Sequence, residues 1–357
     1  MKDRVTVEDV AKEAGVCRTT VYRYLNGKGS LRPESAQRIR DVVERLGYRE
    51  NRAAKVLASR QHVRIAFIGF GNADREYYIR EILAGVRSAD ERYHDYGLNV
   101  DVFLAPFEHP SEQARIIRDC AEKPYDGLVI MPNFGPEIRD AVRRARDAGM
   151  RIVTVNRDLD PLLRQAYYGC DYRQSGRIMG DLLGRMDDNG QYLVVMNDEE
   201  IPEQGPAEEW RLLGIRERLE ETGRGSVFKV LRYAFRSKDV QDAVLDCLRS
   251  HPEISGIVDI TCNLEAIIEA NQAVDGHRRI AGFDLYDQIV PHFADESIEF
   301  VVTQDLYFEG FAAIRGMYEW AAENRKPDHG QPPMRLAVVT REVLPYYMEQ
   351  QHHGLSY

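Results

Sequence analysis

Several things are missing from this 357-residue sequence, and each absence narrows what the chain can be. No apolar run approaches the roughly 18 residues needed to cross a bilayer. The opening MKDRVTVEDV has none of the apolar stretch of a secretory signal. A cytoplasmic chain with no membrane partner is therefore expected. Cysteine is sparse: Cys17, Cys120, Cys170, Cys247 and Cys262 are odd in number, scattered and without metal-ligand spacing, so reduced and mostly buried thiols are expected, with no metal site. The nine histidines, among them His292, His329, His352 and His353, form no spacing with Ser, Cys or paired carboxylates on one element. No catalytic residue is assigned and no enzyme is expected. Gly69-Phe70-Gly71 begins like a dinucleotide loop, but Asp74 stands where G-x-G-x-x-G needs its last glycine, so no cofactor is expected either.

What the sequence does contain is unevenly distributed. The chain is too long for one ordinary domain, and its 43% hydrophobic content is ample for a core. The net charge of −10 hides an asymmetry. Residues 1–60 hold 14 Lys and Arg against 8 Asp and Glu, a balance of +6, while the remaining 34 and 50 give −16. Phosphate attraction acts within a Debye length of about 8 Å, so a basic head can meet nucleic acid despite an acidic body.

In TVEDVAKEAGVCRTTVYRYLN, Thr6 to Asn26, Val7, Val10, Ala11 and Ala14 recur at helical spacing, and Thr6 with Asp9 three residues on resembles a capping box. Gly15 ends that helix. A second then starts near Arg18, with Val21 and Leu25 turned toward the first and Arg18, Thr19, Tyr22 and Arg23 left on the open face. This is the outline of a helix-turn-helix, a small all-α unit over residues 1–48. The open face reads either as solvated surface or as a face for base edges and phosphates. A third helix, Glu34 to Leu46, follows Pro33 and stops at Gly47. Residues 49–62 join head to body. RENRAAKVLASRQ is either a tether or, capped by Asn51, a two-turn helix too short to hold alone in water.

The Thr6–Asn26 segment resembles the LacI/GalR family of bacterial repressors, whose pattern runs close to V-T-x-x-D-V-A-x-x-A-G-V-S-x-x-T-V-S-R-x-L-N. Val5, Thr6, Asp9, Val10, Ala11, Ala14, Gly15, Val16, Thr20, Val21, Arg23, Leu25 and Asn26 match it. The resemblance implies DNA-binding roles for Arg18, Thr19, Thr20, Tyr22, Arg23 and Asn26, with base choice mainly at Arg18, Thr19 and Arg23. It also implies that two hinge helices enter the minor groove, Leu57 wedging a base step beside Asn51, Arg52 and Lys55. Cys17 and Tyr22 depart from the usual Ser, Arg32 from the usual N-cap, and Glu50 from the usual Pro.

From Val63 to Tyr357 short apolar runs alternate with helical stretches. Strands are expected at Arg64–Gly69, Asn99–Ala105, Gly127–Met131, Arg151–Val155, Gln191–Met196, Val227–Leu231, Gly256–Ile260, Ile280–Phe283, Phe300–Thr303 and Leu336–Val339. Strand, helix, strand at this spacing gives parallel sheets with helices on both faces, enough for two lobes. Ligands in such sheets bind beyond the strands' carboxyl ends. The body resembles, more loosely, a type I periplasmic sugar-binding protein. That likeness places Val63 to about Asp158 plus roughly Gln288 to Asn324 in the first lobe, and three crossings between lobes.

It also implies effector roles: Tyr77 and Tyr78 as an aromatic pair, with core cover as their other reading; Arg157 on ligand hydroxyls; Asp284 on a vicinal diol; Gln304 beside it; and Arg211 reaching into the pocket or held in a salt bridge. Asn263 belongs to the same set, with Cys262-Asn263 or Asn263-Leu264 where relatives have N-D. The partners so implied are a pseudo-palindromic double-stranded operator, a small polar effector such as a sugar, and a second copy of the chain. The tail shows no leucine heptad, so a homodimer is the expectation. A sugar-binding module without a DNA role, or a doubly wound enzyme, are the other readings.

Overall fold

The computed structural model describes residues 5–25, 32–46, 62–71, 77–133, 135–197, 207–233, 239–327 and 334–352. The chain divides into two compact units, one built on the first 61 residues and one beginning at His62.

In the first unit, α1 (Val7–Glu13) opens on the expected capping box. The Asp9 amide donates to the Thr6 hydroxyl at 3.3 Å, and the Asp9 carboxylate accepts the Thr6 amide at 2.8 Å. The Thr6 amide and, at 2.7 Å, its hydroxyl both donate to the Asp9 carboxylate and hold it below its ordinary range. Gly15 turns the chain out of α1 at φ 64°, and α2 (Arg18–Leu25) and α3 (Pro33–Leu46) follow. Val10, Ala11 and Ala14 of the first helix meet Val21 of the second and Ile39 and Val42 of the third in one apolar cluster.

The second unit holds two sheets. The first runs β2 (Leu98–Ala105), β1 (Val63–Phe70), β3 (Gly127–Ile130), β4 (Ile152–Val155), β5 (Ala166–Tyr168), all parallel. Every residue of β3 and β4 is buried, as expected of strands covered on both faces. The helices α4 (Tyr77–His94), α5 (Pro110–Ala121) and α6 (Pro136–Asp147) belong to this lobe.

The second sheet contains β6 (Gln191–Asn197), β7 (Ser226–Tyr233), β8 (Gly256–Asp259), β9 (Arg279–Phe283), β10 (Phe300–Gln304) and β11 (Leu336–Val339) in the order β11-β10-β9-β8-β6-β7. It is parallel except for β11, which pairs antiparallel with β10. Alternate residues serve the two faces. Leu193, Val195, Ile257 and Ile280 pack with α9 (Val240–Ser250) and α10 (Leu264–Val274); Tyr192, Val194, Val258 and Phe283 pack with α7 (Tyr172–Met186) and α8 (Ala207–Thr222). A short helix α11 (Pro291–Ala294), then α12 (Leu306–Glu323) and α13 (Leu344–His352), complete the unit. No helix among the described residues is long and apolar enough to cross a membrane.

Two lobe boundaries differ from the sequence reading. The first sheet continues past Asp158 through β5, so the first crossing falls at Gly169–Asp171. The stretch from Gln288 to Gln304 belongs to the second lobe, because β10 pairs with β9 and β11, and Ile289, Phe293 and Ile298 lie in that lobe's core. Among the described residues after β10, α12 is the segment that returns to the first lobe, against α4 and the β1, β3, β4 and β5 strands. In each lobe one helix pair meets at backbone distance. A Cβ on Gly85 would lie 1.9 Å from the Tyr307 carbonyl oxygen and one on Gly310 2.2 Å from that of Ile82. Gly176 and Gly214 stand likewise, at 2.0 Å and 2.1 Å, against Arg211 and Arg173. Neither crossing admits a side chain.

Candidate functional site

On α2, Arg18, Thr19 and Arg23 are exposed, while Thr20 and Tyr22 are half-buried. Arg18 donates to the Tyr22 hydroxyl at 3.1 Å and lies 5.3 Å over its ring, so the aromatic residue that replaces Ser steadies a neighbouring guanidinium. Arg18 also pairs with Glu8 at 2.5 Å, with more than half of each side chain exposed. Such pairs contribute about 0–1 kcal/mol and exchange readily for a phosphate. The Cys17 thiol lies 3.0 Å from the Thr20 hydroxyl, just before the helix, and this contact lowers the pKa of the thiol. Asn26, Asn51, Arg52, Lys55 and Leu57, and with them the expected hinge helix, lie outside the described residues.

In the body, the carboxyl ends of the strands carry the polar groups. Asp284 follows β9, Gln304 ends β10, and α8 brings Arg211 to Asp284. Arg211 pairs with the Asp284 carboxylate at 3.3 Å, and the Gln304 amide donates to the same carboxylate at 3.2 Å, with all three side chains buried. The guanidinium lies 4.2 Å over Phe283 and 5.3 Å over Tyr172. Burial works against its charge, but Asp284 together with the neighbouring Cys170, Tyr172 and Glu208 more than restores it, and the pKa ends above the ordinary arginine value. Its Nε is buried with no hydrogen-bond partner among the described residues. The Cys170 thiol donates to the Gln304 side-chain oxygen at 3.1 Å, linking the first crossing to the second. The Met334 amide donates to the Gly169 carbonyl at 3.2 Å, linking the third to the first.

Backbone strain gathers at the same strand ends. Asn156, Cys262 and Asp284 adopt φ of 59°, 60° and 63°, left-handed conformations that cost non-glycine residues about 1–3 kcal/mol each. Asn263 follows Cys262, but its amide bonds the Thr261 hydroxyl at 2.6 Å rather than the Asp284 cluster. The buried Asp259 carboxyl accepts from Thr261 and Asn263, and its burial pushes it up to about 6 against those bonds.

The two tyrosines of α4 part company. Tyr78 lies 6.3 Å from the Phe70 ring, whereas Tyr77 packs against the second lobe's core, with Arg80 over its ring and bound to Asp287 at 2.9 Å. Arg157 lies 4.9 Å over Phe70 and 5.9 Å over Phe107. Tyr78, Phe70, Arg157 and Phe107 therefore form one aromatic wall at the first lobe's strand ends.

Two features escaped the sequence reading. Glu309 is wholly buried in α12, where burial pushes its carboxyl well above the ordinary range, although it accepts the Asn156 amide at 3.2 Å. A lone acid amid LYFEGFAAI was its signal. The other is a cavity of about 890 Å³, lined by Arg139, Arg143 and Arg146 of α6, by Arg157, and across from them by Tyr172 and Trp210. It adjoins the Asp284 cluster through Cys170 and Tyr172. The spacing of those arginines, i, i+4 and i+7 in PEIRDAVRRARD, was its signal.

A family model described as Periplasmic binding protein domain matches residues 65–325, and one described as Bacterial regulatory proteins, lacI family, matches residues 6–51. The chain belongs to the periplasmic binding protein domain family and carries a lacI-family head. Catabolite control protein A of Staphylococcus xylosus is 28% identical over 144 residues, 40% of this chain and 41% of that protein. The HTH-type transcriptional regulator PtxS of Pseudomonas plecoglossicida is 43% identical over 101 residues, 28% of each chain. The chain spans about two fifths of the length of the first of these. Among solved structures, the periplasmic ribose ABC transporter of Conexibacter woesei shares the fold of the body, with a TM-score of 0.71 at 18% identity over 81% of this chain and 95% of that one. The lacI-family head, the type I binding-protein fold of the body and its parallel sheets agree with the sequence reading.

Proposed function

We propose that this chain is a sequence-specific DNA-binding repressor of the cytoplasm, governed by a small polar effector held between the two lobes of its body. The observation that carries the reading is the presence in one chain of an exposed face of arginines and a hydroxyl on α2 and a buried Arg211–Asp284–Gln304 cluster at the strand ends of a two-lobed sensor. Arg18, Thr19 and Arg23 read base edges, and Thr20, Tyr22 and Asn26 support them at the backbone. In a homodimer on a pseudo-palindromic site, Asn51, Arg52 and Lys55 flank Leu57 in the central minor groove. Asp284, Gln304 and Arg211 hold the effector's hydroxyl groups, with Arg157, Tyr78 and Phe70 on the opposite wall and Tyr77 and Asn263 bracing α4 and the β8 loop. Closure of the lobes acts on the bonds that tie the crossings together, and couples effector to operator by a few kcal/mol at most, reciprocally.

Selection of bound sequences from randomised duplexes by the full chain tests this. A two-fold symmetric consensus is expected. The Leu57→Ala variant should lose about tenfold or more in affinity for that consensus while keeping its affinity for random DNA. Equal losses on both remove the wedge, and the absence of any preferred sequence, with or without sugars, refutes the function.

A further inference from the structure

The arginines of the cavity stand against the charge of their surroundings. Residues 61–357 carry a net −16, yet the cavity is lined by five arginines and three aspartates. The aspartates are engaged elsewhere. Asp158 holds Arg164 at 2.6 Å and the Thr154 hydroxyl at 2.7 Å, Asp160 accepts the Leu162 amide at 2.8 Å, and Asp171 caps α7 by accepting the Gln174 amide at 2.9 Å. Arg146 and Arg173 are held in tight pairs. Arg146 bonds the Leu162 carbonyl and pairs with Asp147, bracing the loop beside the cavity, and Arg173 is held by both oxygens of Glu217 on α8.

Arg143 is different. Its pair with Asp140 at 2.7 Å is formed by side chains that are 51% and 62% exposed, a weak and screened contact that a better-placed oxyanion can replace. Arg139 stands one turn before it on the same face, and Arg157 is spread over Phe70 and Phe107 at the facing strand end. A planar guanidinium presents paired donors matched to a carboxylate or a phosphate, and hydroxyls alone do not use that geometry fully. The volume suits a molecule of sugar size.

We propose that the effector is an anionic polyol, a sugar acid or sugar phosphate, whose oxyanion is held by Arg139, Arg143 and Arg157 while its hydroxyl groups reach the Asp284 cluster. The inference rests on the reading of this cleft as the effector site. It extends that reading to a charge the effector carries and to two α6 residues that fix it.

The test is thermal stabilisation of the full chain, at low and high salt, by neutral pentoses and hexoses, each beside its aldonic acid, uronic acid and terminal phosphate. Trp210, on the cavity wall and 44% exposed, supplies a second signal through its fluorescence. At least one acid or phosphate should stabilise the chain where its neutral parent does not, with a shift that shrinks in salt. The double variant R139Q/R143Q, altered at the helix surface, should keep its own melting temperature and bind that compound about tenfold more weakly or worse. A neutral parent that binds as well as its acid, or unchanged binding in R139Q/R143Q, overturns the anionic effector and leaves the polar-effector reading intact. Anion binding that is lost in R139Q/R143Q and unaffected by Asp284→Asn overturns the role of the Asp284 cluster and upholds the arginine wall. Failure of the whole panel to bind overturns both.

Discussion

Asp284→Asn removes one charge from the buried pair and leaves almost everything else in place. Asparagine has the same shape and tolerates the left-handed φ of 63°. What remains is Arg211, 6% exposed, facing an amide instead of a carboxylate. Stranding a buried charge costs about 3–5 kcal/mol. Here the pair is loose, at 3.3 Å, and the Phe283 ring stays 4.2 Å below the guanidinium, which brings the cost to the bottom of that range or just under it, about 2–3 kcal/mol. At about 2–4 °C per kcal/mol for a unit of this size, the melting temperature should fall by about 5–10 °C. Asp284→Ala should cost about 1 kcal/mol more, since alanine bears the left-handed strain badly. Arg211→Met in the Asp284→Asn background removes the stranded charge, so the double variant should be more stable than the sum of the single losses by about 2 kcal/mol. Urea unfolding of the four proteins measures this. A loss in Asp284→Asn below about 0.5 kcal/mol, or strict additivity, refutes the electrostatic account.

Gly176→Ala places a methyl group 2.0 Å from the Arg211 carbonyl oxygen. It should cost about 2–3 kcal/mol and weaken effector binding, because the helix it displaces carries Arg211; unfolding and binding of one preparation report both. Thr6→Ala strips the hydroxyl from the capping box and should cost the head about 1 kcal/mol, seen as faster amide exchange in α1 with the body unaffected. Asp259 is held up to about 6 against an ordinary value of 3.8, so the folded chain keeps a proton that the unfolded chain releases between those values. The resulting stability is present below the lower value and lost as pH rises through the upper, an amplitude of about 3 kcal/mol. Unfolding midpoints across that window should fall less steeply in Asp259→Asn, and an identical slope would show that another group is responsible.

How far the sequence carries depends on the element. The eight residues of β1 and the seven of β6 announce themselves as apolar runs, whereas the three of β5 are too few for any period to register. Alternation of strand and helix says that sheets exist but not which sheet a strand joins; the likeness to a binding protein puts the return to the first lobe before β10, whereas β10 pairs in the second sheet and the return follows it. At the site, Asp284 and Gln304 each stand at a strand end, where a parallel sheet aims side chains at the cleft, and the resemblance supplies the choice of those two among the strand ends. Tyr77 and Tyr78 could not be told apart by composition, but neighbours on a helix point about 100° apart, and that geometry sends them to different neighbours. The α6 arginines were passed over because a charged helix face is ordinarily a solvated one.

The return of α12 has a consequence for synthesis. The first lobe is begun at Val63, yet the helix that packs against α4 is encoded at 306–323, after ten of the eleven described strands. Until that segment leaves the ribosome, α4 can pack on β1 and β2 but lacks the helix that meets it at Ile82 and Gly85, and the nascent chain holds an unfinished first lobe while the second assembles. Closing the first lobe therefore waits on contacts of long sequence separation, which slows folding relative to a lobe made of one continuous stretch.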